Sequence, residues 1–286
     1  MVIDAPSLTA RPGARARDMV ASGLRVVLRV PAILLLGASV VLGIQAWWSR
    51  FSVCFVGGEP PVAGLPQDGA GGCLALQDHL YDYYVPDDPW VPIADAAQRE
   101  GLSLLALGLG VALVSVSLGG RWFVWPLSLA GGAAMGAMWV GTGVPVWRSG
   151  LAGEPVGFED WMAASGWSVL TVLVAPGLAA LAWFHGGRDA RLVAVFWAAM
   201  AIVPWEFFFT LFLAPSHDTS PLRGFFRCAV VAVAAVAVAL TLLPVGVRQR
   251  MARPLGRAGQ VVMTVLRRAA ARLRELDERV MPARRE

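Results

Sequence analysis

The chain is 286 residues long, 57% hydrophobic and only 15% charged, with a mean hydropathy of +0.60. That is too apolar for an ordinary water-soluble domain and points to a membrane protein. The formal charge of +4 hides an asymmetry: residues 248–286 hold 11 Arg against 4 acids, while residues 49–100 hold 2 Arg against 8. Membrane orientation accounts for the basic residues, which argues against nucleic acid as a partner.

The N-terminal segment, 1–26, carries Arg11, Arg15, Arg17 and Arg25 ahead of the first apolar run. It is long for the n-region of a cleaved signal, and no small-x-small site follows Trp47-Trp48. Phe51-Ser52-Val53-Cys54 has Val where a lipobox needs Gly or Ala, so the first span is expected to be retained.

Six apolar stretches, near 27–48, 101–118, 122–144, 166–184, 192–213 and 225–247, are each long enough, at roughly 20 residues, to cross a hydrocarbon core of about 30 Å. In lipid every backbone polar group needs an internal partner, so each is expected to be a helix. The expected fold class is all-α: a six-transmembrane-helix bundle over 27–247, a small disulfide-closed extracytoplasmic loop domain over 49–100, and a cytoplasmic amphipathic helix in the tail 248–286. With both termini cytoplasmic, the inner segments are 1–26, the turn at Arg121, the turn holding Arg188 and Arg191, and the Arg-rich tail. Trp47, Trp48, Trp147, Trp161 and Trp167 then fall at the outer boundary and Trp122, Trp125 and Trp183 at the inner one, as aromatic belts require. Both signals point to the inner (plasma) membrane of a bacterium as the location and to the lipid bilayer as the first partner.

Residues 49–100 are polar and rich in turn formers, among them Glu59-Pro60-Pro61 and Gly69 to Gly72. Cys54 and Cys73 lie there with 18 residues between them, and in an oxidising compartment a disulfide is the expected state. Closing such a loop stabilises a small domain by about 3 kcal/mol in the chain-entropy model. Asp78, His79, Tyr81 and Asp82 are the polar candidates of this loop for an extracytoplasmic protein or ligand, though their spacing matches no metal-binding pattern. The prolines of Val85 to Pro92 predict an extended segment, and Ala94 to Glu100 a helix that runs into the second span.

In the third span Gly131, Gly132, Ala133, Gly136 and Ala137 allow another helix to approach closely, which predicts a central packing helix. Pro176 with Gly177 in the fourth span and Pro204 in the fifth are expected to kink or break their helices. Glu206, the one acid deep in an apolar span, marks a functional hypothesis by default, and Arg227 at the head of the sixth span is its expected ion-pair partner. Broken helices beside an intramembrane carboxylate also suit a transport pathway. Cys228 is expected to be an inert buried thiol.

In the tail, Val262, Leu266, Ala269, Leu273, Leu276 and Val280 form a narrow apolar stripe among Arg267, Arg268, Arg272, Arg274 and Arg279. Such a stripe fits anionic lipid or a partner protein helix. There is no G-x-S-x-G, H-E-x-x-H, P-loop or G-x-G-D, and Ser216-His217-Asp218 reads as a turn because sequence neighbours cannot face one another as a triad. No cofactor or metal is expected. The sequence therefore favours a non-enzymatic accessory or scaffolding protein that works through its outer loop and basic tail. A small proton- or ion-coupled permease using Glu206 is the first alternative, and a membrane enzyme acting on lipid or cell-wall precursors the second.

Overall fold

The computed structural model describes residues 12–55, 92–117, 124–157, 166–185, 189–206 and 222–244, together with Pro86, Trp90, 209–210 and 246–248. The chain divides into two compact units, 1–242 and 243–286, and the six helices below all lie in the first. They are α1 (Pro12–Phe55), α2 (Ala96–Ser117), α3 (Val124–Ala152), α4 (Gly166–His185), α5 (Ala190–Ile202) and α6 (Phe225–Leu240), with a 3-10 turn at Val203–Trp205 after α5. Among the described residues the chain is all-helical. Within those residues three segments are long and apolar enough to cross a membrane: Val26–Ser52, Ala96–Ser117 and Val124–Ala152. Shorter apolar helices cover Leu173–Phe184, Arg191–Trp205 and Phe225–Leu240.

The helices alternate in direction. Ala32 and Leu36 of α1 approach Gly110 of α2, Ser39 meets Ser103, and Ser49 meets Arg99, so α1 and α2 are antiparallel. At one end of the bundle, the Glu100 end, α2 and α6 begin; at the other, the Arg29 end, α5 begins with Asp189 against Arg29.

The closest helix pairs are α2 with α3 and α1 with α2. A repeat of glycines makes the α2–α3 approach possible. A Cβ on Gly108 would lie 2.6 Å from the carbonyl oxygen of Gly136, and one on Gly136 would lie 2.8 Å from that of Gly108. The same seam continues where Gly143 faces Gly101 and Gly150 faces Gln98. Gly136, Gly143 and Gly150 recur every seven residues, as do Gly101 and Gly108, the spacing that keeps one stripe of a helix facing one neighbour. Gln98 closes the seam with a 2.5 Å hydrogen bond to the carbonyl of Gly150. The Gly131 to Ala137 segment does serve packing, with Gly131 set against Val174 and Leu178 of α4 and Gly132 against Ser115. Trp197 of α5 fills the bundle centre with Phe196, Met135, Met200, Leu104 and Leu107.

Several expected boundaries shift. α1 continues through Phe55, past the expected end of the first span, whereas α2 starts at Ala96, close to the helix expected from Ala94 into the second span. The first turn of α2 is set by Ile93, whose carbonyl accepts the Ala96 amide, and by an Arg99–Asp95 ion pair at 3.2 Å. α4 runs unbroken through Pro176, which sits with Gly177 on the exposed side, so its ring meets no neighbouring helix. Pro204 does end a helix: α5 stops at Ile202 and tightens into the 3-10 turn. Cys73, Asp78, His79, Tyr81, Asp82 and the tail from 249 lie outside the described residues, as does the side chain of Cys54, so the Cys54–Cys73 disulfide is not among the observed features. The free cysteine among the described residues is Cys228, which is buried.

Candidate functional site

Charge is concentrated inside the bundle at the Glu100 end. The chain leaves the Pro204 turn directly into Glu206, whose carbonyl accepts from the Thr210 hydroxyl at 2.9 Å. The Glu206 carboxylate reaches the start of α6. Its Oε1 accepts the Gly224 amide at 2.6 Å and the Arg227 amide at 2.9 Å. Gly224 has φ +86°, a backbone conformation natural only to glycine, and this turn aims both amides at one oxygen. The carboxylate thus caps α6, satisfying two of the orphan donors that every helix start leaves and complementing the positive end of the helix dipole.

Arg227 points elsewhere. Its guanidinium grips Glu100 of α2 with both terminal nitrogens, Nη1 to Oε1 and Nη2 to Oε2, the latter at 2.7 Å. Arg227 is 1% exposed, Glu100 0% and Glu206 4%. The expected Glu206–Arg227 contact therefore exists through the arginine's backbone amide, and the carboxylate that holds its side chain is Glu100. Room for the guanidinium comes from Gly43 of α1, where a Cβ would lie 3.2 Å from Nη2 and 2.9 Å from the Ser103 hydroxyl. Ser103 donates in turn to the Ser39 carbonyl at 2.7 Å. Four chain segments meet here: α1, α2, the turn after α5, and α6.

The site is shallow along the bundle. Glu100 is the fifth residue of α2 and Arg227 the third of α6, so each lies within about one and a half turns of its helix start. Pro176 and Gly177 are not part of it. Planar, two-point pairing of Arg with a carboxylate fixes orientation as well as charge. Its chemistry is that of a cross-link between helices, with both carboxylates engaged by protein donors. Among the described residues no group of three or more His, Cys, Asp or Glu has the arrangement to hold a metal ion.

Sequence reasoning placed Glu100 in a helix that runs from Ala94 into the second span, but counted it with the acidic outer loop and so missed its place in the interior. The helix formers Ala96-Ala97-Gln98-Arg99 ahead of the apolar run carried the helix back past Glu100, but nothing local marked that carboxylate as buried. Compared with known protein families, curated proteins and solved structures, the chain matches none.

Proposed function

We propose that the chain is a six-span inner-membrane protein with both termini in the cytoplasm, acting as a non-enzymatic accessory or scaffold. Its bilayer unit is held rigid by internal charge pairing, and its partner contacts are made by the outer loop and the basic tail. The observation that carries this reading is the closure of the Glu100–Arg227–Glu206 cluster. The three charged groups of this cluster bind one another and a helix start, near helix ends, instead of lining a path at mid-depth. The six spans are supported by the alternating directions of α1 to α6. The 20 residues of α4, for example, cover about 30 Å at 1.5 Å per residue.

One observation favours the permease alternative: the helix break at Pro204 lies immediately before the buried Glu206. A single comparison separates the two. In cells, photo-crosslinking from the outer loop and from the tail is expected to capture the same partner in wild type and Glu206→Gln, with loss of capture when residues 249–286 are deleted. In proteoliposomes, wild type and Glu206→Gln are expected to show equal proton and ion leak. A flux present in wild type and abolished by Glu206→Gln in a folded protein sinks the scaffold reading.

A further inference from the structure

Arg29 of α1, at the opposite end of the bundle, is also buried, at 8% exposure, but its partners are few. Its one hydrogen-bonding contact among the described residues runs from Nη1 to Asp189 Oδ2 at 3.5 Å, and its Nε is buried with no partner. A guanidinium carries five N–H donors. One contact at the limit of hydrogen-bonding distance leaves most of that capacity unused, and a desolvated charge in this condition is costly unless something else completes it.

The surroundings of Arg29 share one chemistry. Asp189 occupies the N-cap position of the 13-residue α5 but makes no side-chain cap hydrogen bond, so the first turn of that helix lacks its usual side-chain acceptor. The positive end of the α5 dipole is therefore directed to the same corner that Arg29 reaches. Two residues on, Arg191 is exposed and stands 5.9 Å from the centroid of the Trp183 ring. Trp183 and its neighbour Phe184 are 55% and 76% exposed at the end of α4, the aromatic edge expected where a helix meets the headgroup region. Arg29 lies three residues inside the apolar window that opens at Val26, which is headgroup depth as well.

We infer that the corner between α1 and the N-terminus of α5 is a binding site for an anionic phospholipid headgroup. Its phosphate oxygens accept from Arg29, from Arg191 and from the uncapped amides of α5, and its acyl chains lie along Trp183 and Phe184. Asp189 opposes an anion, but two guanidiniums and a helix N-terminus outweigh one partly exposed carboxylate. Phosphate chemistry alone is shared with free inorganic phosphate; the aromatic edge and the apolar depth favour the lipid.

Native mass spectrometry of the full chain in mild detergent tests the site, with dioleoyl phosphatidylglycerol, dioleoyl phosphatidylcholine or inorganic phosphate offered separately and in competition. Wild type is expected to retain one phosphatidylglycerol in preference to phosphatidylcholine, with no displacement by inorganic phosphate. Arg191→Gln, an exposed change that spares the fold, is expected to weaken retention roughly fivefold, the effect of one arginine at an anionic surface, and Arg29→Gln by at least as much. Arg148→Gln, an exposed arginine near the end of α3 at the far side of the bundle, serves as the control and is expected to leave retention unchanged. Equal retention of phosphatidylcholine, displacement by inorganic phosphate, or an Arg191→Gln protein that behaves like the Arg148→Gln control each overturns the inference.

Discussion

Arg227 and Arg29 are both buried and both paired with an acid from another part of the bundle, one near the start of α6 and the other well inside the long α1, yet their surroundings differ in kind. Arg227 meets Glu100 through two nitrogens while its backbone amide serves Glu206. Among the described residues Arg29 has a single contact, at 3.5 Å, with a carboxylate that is 24% exposed. Burial alone therefore does not say what a charge is for. A guanidinium whose donors are used inside the protein is a fastener, and one with donors to spare has the capacity to take a ligand.

The largest effect is expected at the closed cluster. Glu100→Gln leaves a buried guanidinium without its counter-charge, which costs about 3–5 kcal/mol, and a strongly lowered melting temperature of the detergent-solubilised protein is the readout. The double change Glu100→Gln with Arg227→Met is expected to recover most of that loss, because the penalty comes from the stranded charge. A single change as mild as the double would show that the pairing contributes little and that the contrast with Arg29 is one of geometry only.

The glycine seam comes next, since it decides whether α2 is held by its charge or by its close contact with α3. Gly108→Leu forces a side chain onto the backbone of Gly136, and overpacking of this kind costs about 1–3 kcal/mol. The seam is expected to tolerate Gly141→Ala, where a Cβ meets nothing within 4 Å. If both variants melt together with wild type, the helices are not in the close contact described. Glu206→Gln follows with a smaller loss, about 1 kcal/mol, the usual range for weakening a helix cap, and the amide of glutamine still offers one oxygen to Gly224 and Arg227.

Much of this architecture was legible in the residues. Hydropathy gave helices beginning at Gly166 and Phe225, and the small residues from Gly131 to Ala137 marked α3 as a packing helix. Pro204 ended α5 as expected, while α4 continues through Pro176, which stands on the exposed side of the helix. Composition could not reveal that Glu100 belongs to the interior. It stands at the junction of a polar loop and an apolar span, and only the pairing of α2 with α6 decides which side claims it. Nor could sequence separate Arg227 from Arg29. Each is an arginine near the end of an apolar run, and the difference between a full and a partial set of partners arises from helices far apart in the chain. The seven-residue glycine repeat was readable from Gly101, Gly108, Gly136, Gly143 and Gly150, but only if the period was sought across two spans at once.

The smallest intrinsic effect is expected at Arg29, and it sharpens the comparison most. In detergent without anionic lipid, Arg29→Gln removes one long, partly solvated ion pair, which contributes about 0–1 kcal/mol, and relieves a guanidinium whose burial was poorly compensated. The two effects oppose each other, so the melting temperatures of wild type and variant should nearly coincide. Adding phosphatidylglycerol then separates them. A ligand that binds the folded state stabilises it by mass action, about 2.7 kcal/mol at a hundred times its dissociation constant, and only the protein that retains Arg29 receives the full benefit. The melting gap should therefore widen with phosphatidylglycerol and stay closed with phosphatidylcholine. A gap already several degrees wide in lipid-free detergent, and indifferent to the lipid added, would mean that Arg29 is as much a fastener as Arg227.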